Sequence, residues 1–287
     1  MSTATPEPDS PDVAPTWRGL VDDAATFPPG NAPLPDALAA HLARRGEPWA
    51  AMVGRFVVKD TDLPQLRDFP GSVSVVGTGG AGQIAGPVEL AARHGVRVEA
   101  VEVALRDLDD LAGNARRVTA AVDAIGVDDL QVYVELPTTR PGAGWLAAAD
   151  EVAAAELRLK LRTGGLDASA FPSPADLAAC IDAALDRETP FKCTAGLHHA
   201  VRHEATGGEW TNHGFLNVLL ATAAAWDGAD QQTVAGVLAE LNADVLLATC
   251  RDLGDDLARA RRWFTSFGCC DVTEPHDDLV KLGLLEA

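Results

Sequence analysis

Apolar runs of β type recur along the chain, and amphipathic stretches of helical period separate them. Eight runs read as strands, over 19–22, 51–58, 72–76, 96–103, 131–135, 157–162, 191–194 and 263–267. The helical patterns fall at 34–45, 83–94, 108–125, 144–155, 174–187, 214–226 and 231–260, with a shorter piece at 60–66. Strands that alternate with helices pair in parallel through right-handed crossovers. Eight such units in a chain of 287 residues match the count and size of a (β/α)8 barrel. No repeat of 20–50 residues points to a solenoid. Residues 1 to about 15 are proline, serine, threonine and acid with little to bury, so a disordered tail is expected there and the barrel over 16–287.

One segment argues for a different α/β fold. Gly77-Thr-Gly-Gly-Ala-Gly82 matches GxGxxG, follows a strand and opens a helix, and the next strand carries Glu102 at about the spacing of a ribose ligand. Taken alone this predicts a doubly wound, Rossmann-like sheet. Two features count against it. Pro87 sits in the first turns of the following helix, and two further strand–helix units precede the motif. The barrel reading makes the same glycines a loop at the catalytic face.

Composition narrows the function classes. The net charge of −19 speaks against nucleic acid and against anionic membranes. No apolar run approaches the ~20 residues of a membrane span, and no signal-peptide core is present. Five cysteines without a CxxC pair suit a reducing, cytoplasmic setting. A small-molecule substrate is expected, and a homo-oligomer is left open.

Lysine usage carries the strongest chemical signal. The chain has four lysines against nineteen arginines, and two of the four, Lys160 and Lys192, each end a short β run that breaks on glycine. Surface needs are met by arginine, so lysine stands where a compact amine able to lose its proton has a use. The competing reading is a pair of structural lysines bound to carboxylates. In a barrel the C-terminal strand ends converge on one site. They supply Asp22 and Asp23, Arg55 and Lys59, Glu102, Glu135, Lys160 with Arg162, Lys192 with Thr194, and Thr265 with Ser266. Alternate residues face the interior, so Lys160 shares a face with Arg162, and Lys192 with Thr194. Inward charges need partners, and Glu102 and Glu135 are the natural ones.

These strand ends resemble class I aldolases of the deoxyribose-phosphate aldolase type. The resemblance implies that Lys160 forms a Schiff base and that Lys192 lowers its pKa. The chain differs from that family in reading Lys-Leu-Arg-Thr-Gly where the family has Lys-Thr-Ser-Thr-Gly, and in having Glu102 where the family has aspartate. A longer signature, KLRTGG, FKCTAGLHHAVRH, NHGFLN, FTSFG and LVDDAATFPP, resembles a bacterial barrel family with no assigned reaction.

His198, His199, His203 and His213 follow the seventh run. Imidazole titrates near neutrality, which suits acid/base work. His198, His199 and His213 are also the candidate ligands of a divalent metal. Neighbours on an extended segment point apart, so one of His198 and His199 is expected to face the site. Thr211 or Asn212 is expected to cap the next helix, and Asp277-Asp278 to supply N-terminal charge to a final one. Gly164-Gly165, Gly207-Gly208 and 77–82 each offer backbone amides to a phosphate, or form tight turns.

Three functions stay open. The first is a lyase of aldolase type, with no cofactor, acting on a small carbonyl or carboxylate compound. Lys160 or Lys192 would be the amine, Glu135 or Glu102 the proton carrier and Arg162 an anion clamp. Asp22, Arg55, Thr163, Gly164, Gly165, Thr194, Gly196, Asn212 and Ser266 would line the substrate. The second is a metal-dependent hydrolase or isomerase using the histidines and Asp22. The third is a non-catalytic barrel that binds an acidic ligand or a protein.

Overall fold

The computed structural model describes residues 13–127, 129–204 and 210–286. Eight parallel strands close into a barrel: β1 (Val21–Asp23), β2 (Val53–Lys59), β3 (Ser72–Gly77), β4 (Arg97–Ala104), β5 (Gln131–Leu136), β6 (Arg158–Arg162), β7 (Phe191–Thr194) and β10 (Phe264–Cys269). A two-stranded antiparallel hairpin, β8 (His203–Glu204) and β9 (Thr211–Asn212), rises from the loop after β7. The fold is the (β/α)8 barrel, and the Rossmann-like alternative is overturned by the closure of β1 onto β10. The tail expected over residues 1–15 lies outside the described residues up to 12, and Val13 is already buried in the core.

Helices follow from local caps and an apolar inner face. They are α1 (Leu34–Ala43), α2 (Ala85–Arg93), α3 (Leu111–Ile125), α4 (Ala143–Ala154), α5 (Pro174–Leu185), α6 (Phe215–Trp226), α7 (Gln231–Ala239), α8 (Ala243–Leu253) and α9 (Thr273–Lys281). Ser173 caps α5 ahead of Pro174, Asp110 caps α3, and Gly126 ends α3 at φ 59°. Helix α6 is buried almost all round, from Phe215 to Ala223, because α7 and α8 cover its outer side.

The pattern at 231–260 is not one helix. It breaks after Ala239, restarts at α8 under the cap of Asn242, and passes at Gly254 into a 3-10 segment that runs to Arg262. The segment at 60–66 is likewise 3-10 rather than α. Neither Thr211 nor Asn212 caps α6. Its first amides, of Phe215 and Leu216, donate to the carbonyls of His199 and Ala200 instead. Helix α9 begins at Thr273, so Asp277 and Asp278 lie inside it and not before it.

The core is the annulus between barrel and helices. Outward residues of adjacent strands, such as Leu159, Leu161 and Cys193, pack there, while a second cluster of Phe56, Val58, Leu63, Leu66 and Phe69 lies behind β2 and β3. The inside of the barrel is polar, and that polarity positions the site. Among the described residues no helix is long and apolar enough to cross a membrane.

Candidate active site

Strand register brings the two lysines together. Lys160 of β6 lies beside Lys192 of β7 on one side and Glu135 of β5 on the other. Glu102 of β4 reaches both amines, with one carboxylate oxygen 2.7 Å from Lys160 Nζ and the other 2.7 Å from Lys192 Nζ. Lys192 continues to Asp22 at 2.6 Å, and Lys160 to Glu135 at 3.0 Å. Arg162 Nε donates to the second Glu135 oxygen at 2.8 Å. The result is an alternating chain, Asp22–Lys192–Glu102–Lys160–Glu135–Arg162, with three charges of each sign. Ser266 donates to Asp22 and Ser74 to Glu102, while the Arg55 amide donates to Asp22. Lys192 also lies over the Tyr133 ring, 5.4 Å from its centroid.

The chain of ions has an inner and an outer end. The Lys192 side chain is 1% exposed, Glu135 14% and Arg162 45%. Burial alone would push the Lys192 ammonium down, but Asp22 and Glu102 outweigh it and raise its pKa. Lys160 is raised in the same way, against burial, by Glu102 and Glu135, and the nearby Lys192 is too weak an influence to reverse this. Burial would raise Glu102, yet Lys160 and Lys192 hold it well below the usual carboxylate range. Glu135 is lowered likewise by Lys160 and Arg162. Both lysines and both glutamates are therefore charged at rest. The resting geometry departs from the expectation that Lys192 keeps Lys160 a neutral amine.

Several expected site residues lie elsewhere. The Arg55 side chain pairs with Glu99 and Gln131, towards the starts of β4 and β5, and contributes only its amide to the cluster. Tyr133, Gln131 and Arg158 extend this lower polar tier, with Thr265 closing it through its bond to Tyr133. Asp23 faces the other way from Asp22 and is held between His41 and Arg44 of the α1 side. Thr163 donates to the carbonyls of Ala195 and Thr194, tying the loop after β6 to the loop after β7. A Cβ on Gly164 would stand 2.8 Å from the Cα of Gly196, whose φ is +77°. Those two glycines serve a close backbone crossing. Gly165 similarly packs on Ala170. Thr194 lies inward near Gly268, above Lys192.

The histidines divide. His213 is fully buried, and its ring nitrogens are engaged by Arg202 and by the Pro172 carbonyl. Burial, helped by Arg202, pushes its imidazole down to about 4 despite the Pro172 bond. Both of its ring nitrogens are thus engaged within the protein. Asn212 bonds to His203 in the hairpin. His198 and His199 do not point apart. The segment bends, and both reach α9: His198 pairs with Glu274, and His199 with Asp278, which also accepts from the Ala200 amide. Gly79, Gly80 and Gly82 border an open depression of about 500 Å³ shared with Arg106, Asn114 and Arg117. Gly207-Gly208 lies outside the described residues.

Ser74, Tyr133, Cys269 and Glu274 were missed by sequence reasoning. Ser74 had a usable signal, since it alternates with valines in β3 and so faces the interior. Cys269 and Glu274 had none, because they meet His198 only through the closure of the barrel.

The fold and the site together define a class: a (β/α)8 barrel whose interior is crossed by a chain of ion pairs that surfaces at the C-terminal mouth. No protein-family model matches the chain, and no curated protein matches it in sequence.

Proposed function

We propose that the protein is a lysine-dependent lyase of aldolase type, acting on a small carbonyl compound that carries an anionic group. The observation that carries this reading is the single carboxylate of Glu102 clamped between two amines on neighbouring strands, with Lys160 on the exposed side. The resemblance of the strand ends to aldolases of the deoxyribose-phosphate type implies the same assignment, with Lys160 as the amine and Lys192 as its cationic neighbour.

At rest Lys160 is an ammonium, so the substrate must release its proton. A carboxylate or phosphate entering at the mouth meets Arg162, whose fork suits either group. Pairing there draws Arg162 away from Glu135. Glu135 then loses one of the two cations that depress it and takes the proton from Lys160. The neutral amine attacks the carbonyl carbon, the carbinolamine loses water, and an iminium forms. The iminium accepts the electron pair of the bond between its α and β carbons as that bond breaks, and Glu135, having given its proton to the departing water, takes the β-hydroxyl proton so that the second fragment leaves as an aldehyde. Glu135 returns a proton to the enamine, and water hydrolyses the product iminium back to Lys160. Lys192 stays charged and keeps Glu102 ionised beside the developing cation.

Incubation with pyruvate or acetaldehyde in the presence of borohydride, followed by peptide mapping, tests this. The expected result is a reduced adduct on Lys160, absent from Lys160→Met. Failure to label Lys160 with either carbonyl would make the ion chain a structural core and would remove the lyase reading.

A further inference from the structure

His198, Cys269 and Glu274 form a cluster that the lysine chemistry leaves unused. The three come from different segments: the loop after β7, the end of β10 and the first turn of α9. Their donor atoms all lie within 4.8 Å of one another. His198 Nδ1 is 3.7 Å from Cys269 Sγ and 2.7 Å from a Glu274 oxygen.

We propose that these three side chains bind one zinc ion, through His198 Nδ1, Cys269 Sγ and a Glu274 carboxylate oxygen. Tetrahedral zinc with ordinary bond lengths places sulfur ~3.6 Å from nitrogen and nitrogen ~3.3 Å from a carboxylate oxygen. The sulfur–nitrogen edge is therefore already close to that required. The nitrogen–oxygen edge opens by a small swing of Glu274, whose side chain is 40% exposed and free to make it. A thiolate, an imidazole and a carboxylate together suit zinc and disfavour magnesium or calcium, which take oxygen ligands. The Cys269 thiol now donates to the Asp271 carbonyl at 3.0 Å. Zinc would displace that proton to solvent and form the metal–sulfur bond in its place. The Cys269 side is closed, so the ion arrives past the partly exposed His198 and Glu274. Three protein ligands leave one coordination position for water, as in catalytic rather than structural zinc sites. This ligand set shares only His198 with the histidine triplet expected from sequence, and it does not rest on the lysine chemistry.

The test uses the full chain, stripped with a chelator and titrated with zinc and then with cobalt(II). One equivalent of zinc should be taken up, and the cobalt form should show a thiolate-to-cobalt charge-transfer band in the near ultraviolet. Cys269→Ser should lose that band, and Glu274→Gln, a change at a half-exposed position that preserves the fold, should weaken zinc at least about tenfold. His199→Gln should leave stoichiometry and spectrum unchanged. Uptake of no zinc, a cobalt spectrum without the thiolate band, or undiminished affinity in Glu274→Gln would each overturn the site.

Discussion

Lys192 has two buried carboxylates as partners, and its removal would leave Asp22 without a direct ion pair among the described residues. Lys160 is different. Without it, Glu102 keeps Lys192 and Glu135 keeps Arg162. Breaking a buried pair from one side costs about 3–5 kcal/mol. Lys192→Met should therefore lose about that much in urea unfolding, and Lys160→Met less than half of it. Equal losses would mean that the two amines are equivalent in the core. The pH dependence follows from the same groups. Glu102 and Glu135 have folded pKa values below their unfolded value of about 4.3, so their contribution is complete above it and is lost as pH falls through the folded values. Lys160 and Lys192 are raised, so their contribution is complete below about pH 10.4 and fades at higher pH. These four groups alone would leave stability flat between about pH 5 and 10, whereas His213, pushed down to about 4, costs stability as pH falls below its unfolded value of about 6.5. Glu102→Gln should shrink the acid limb in denaturation curves taken from about pH 5 down to 2. Much of this cluster was legible in the sequence, because two scarce lysines at the ends of successive strands demand inward carboxylates. Their charge state was not, since it depends on how many carboxylates each amine touches.

At the level of elements, the barrel was legible because its strands are apolar runs of fixed length separated by helices of different period. The helix expected over 231–260 was not, because its apolar period continues across both breaks while the breaks themselves depend on Asn242 as a cap and on Gly254 at φ 52°. The paired histidines were misjudged for a similar reason: alternation holds for extended chain, and residues 198–200 are bent towards α9. The loops after β6 and β7 illustrate a constraint that only the three-dimensional crossing reveals. Gly164 faces the Gly196 backbone, so a methyl there must displace main chain and not a flexible side chain. Gly164→Ala should cost about 1–3 kcal/mol, as overpacking generally does. Gly144→Ala in α4, with nothing within 4 Å of the new carbon, should instead gain up to ~1 kcal/mol from helix propensity. Thermal melts of the two variants should move in opposite directions.

For the molecule as a whole, closure is the demanding step, because β1 must find β10 across almost the full chain and β1 is only three residues long. Arg261 holds that seam. It lies just before β10, and its guanidinium donates to the carbonyls of Thr16, Arg18 and Gly19 ahead of β1, and to Phe264 and Thr265 of β10 itself. Burial pushes Arg261 down to about 10, partly opposed by Asp22 and Tyr133, so it remains charged at neutral pH. One side chain thus satisfies carbonyls from both ends of the barrel and brings Asp22, the inner end of the ion chain, into register with Lys192. Arg261→Met keeps the apolar stem and deletes the donors. It should cost at least about 2 kcal/mol, since bonds from a charged donor contribute roughly 1.5–3 kcal/mol each and several carbonyls lose theirs together. Hydrogen exchange should locate the loss. The amides of Ala24 and Phe267, which bond across the seam to Cys269 and Leu20, should exchange faster in the variant. Those of Val103 and Val134, on the opposite wall, should keep the parent rate. Arg251→Met, an exposed change on α8, should stay within about 0.5 kcal/mol of the parent. Uniform acceleration across both walls would show that Arg261 contributes to global stability alone and that the seam closes without it.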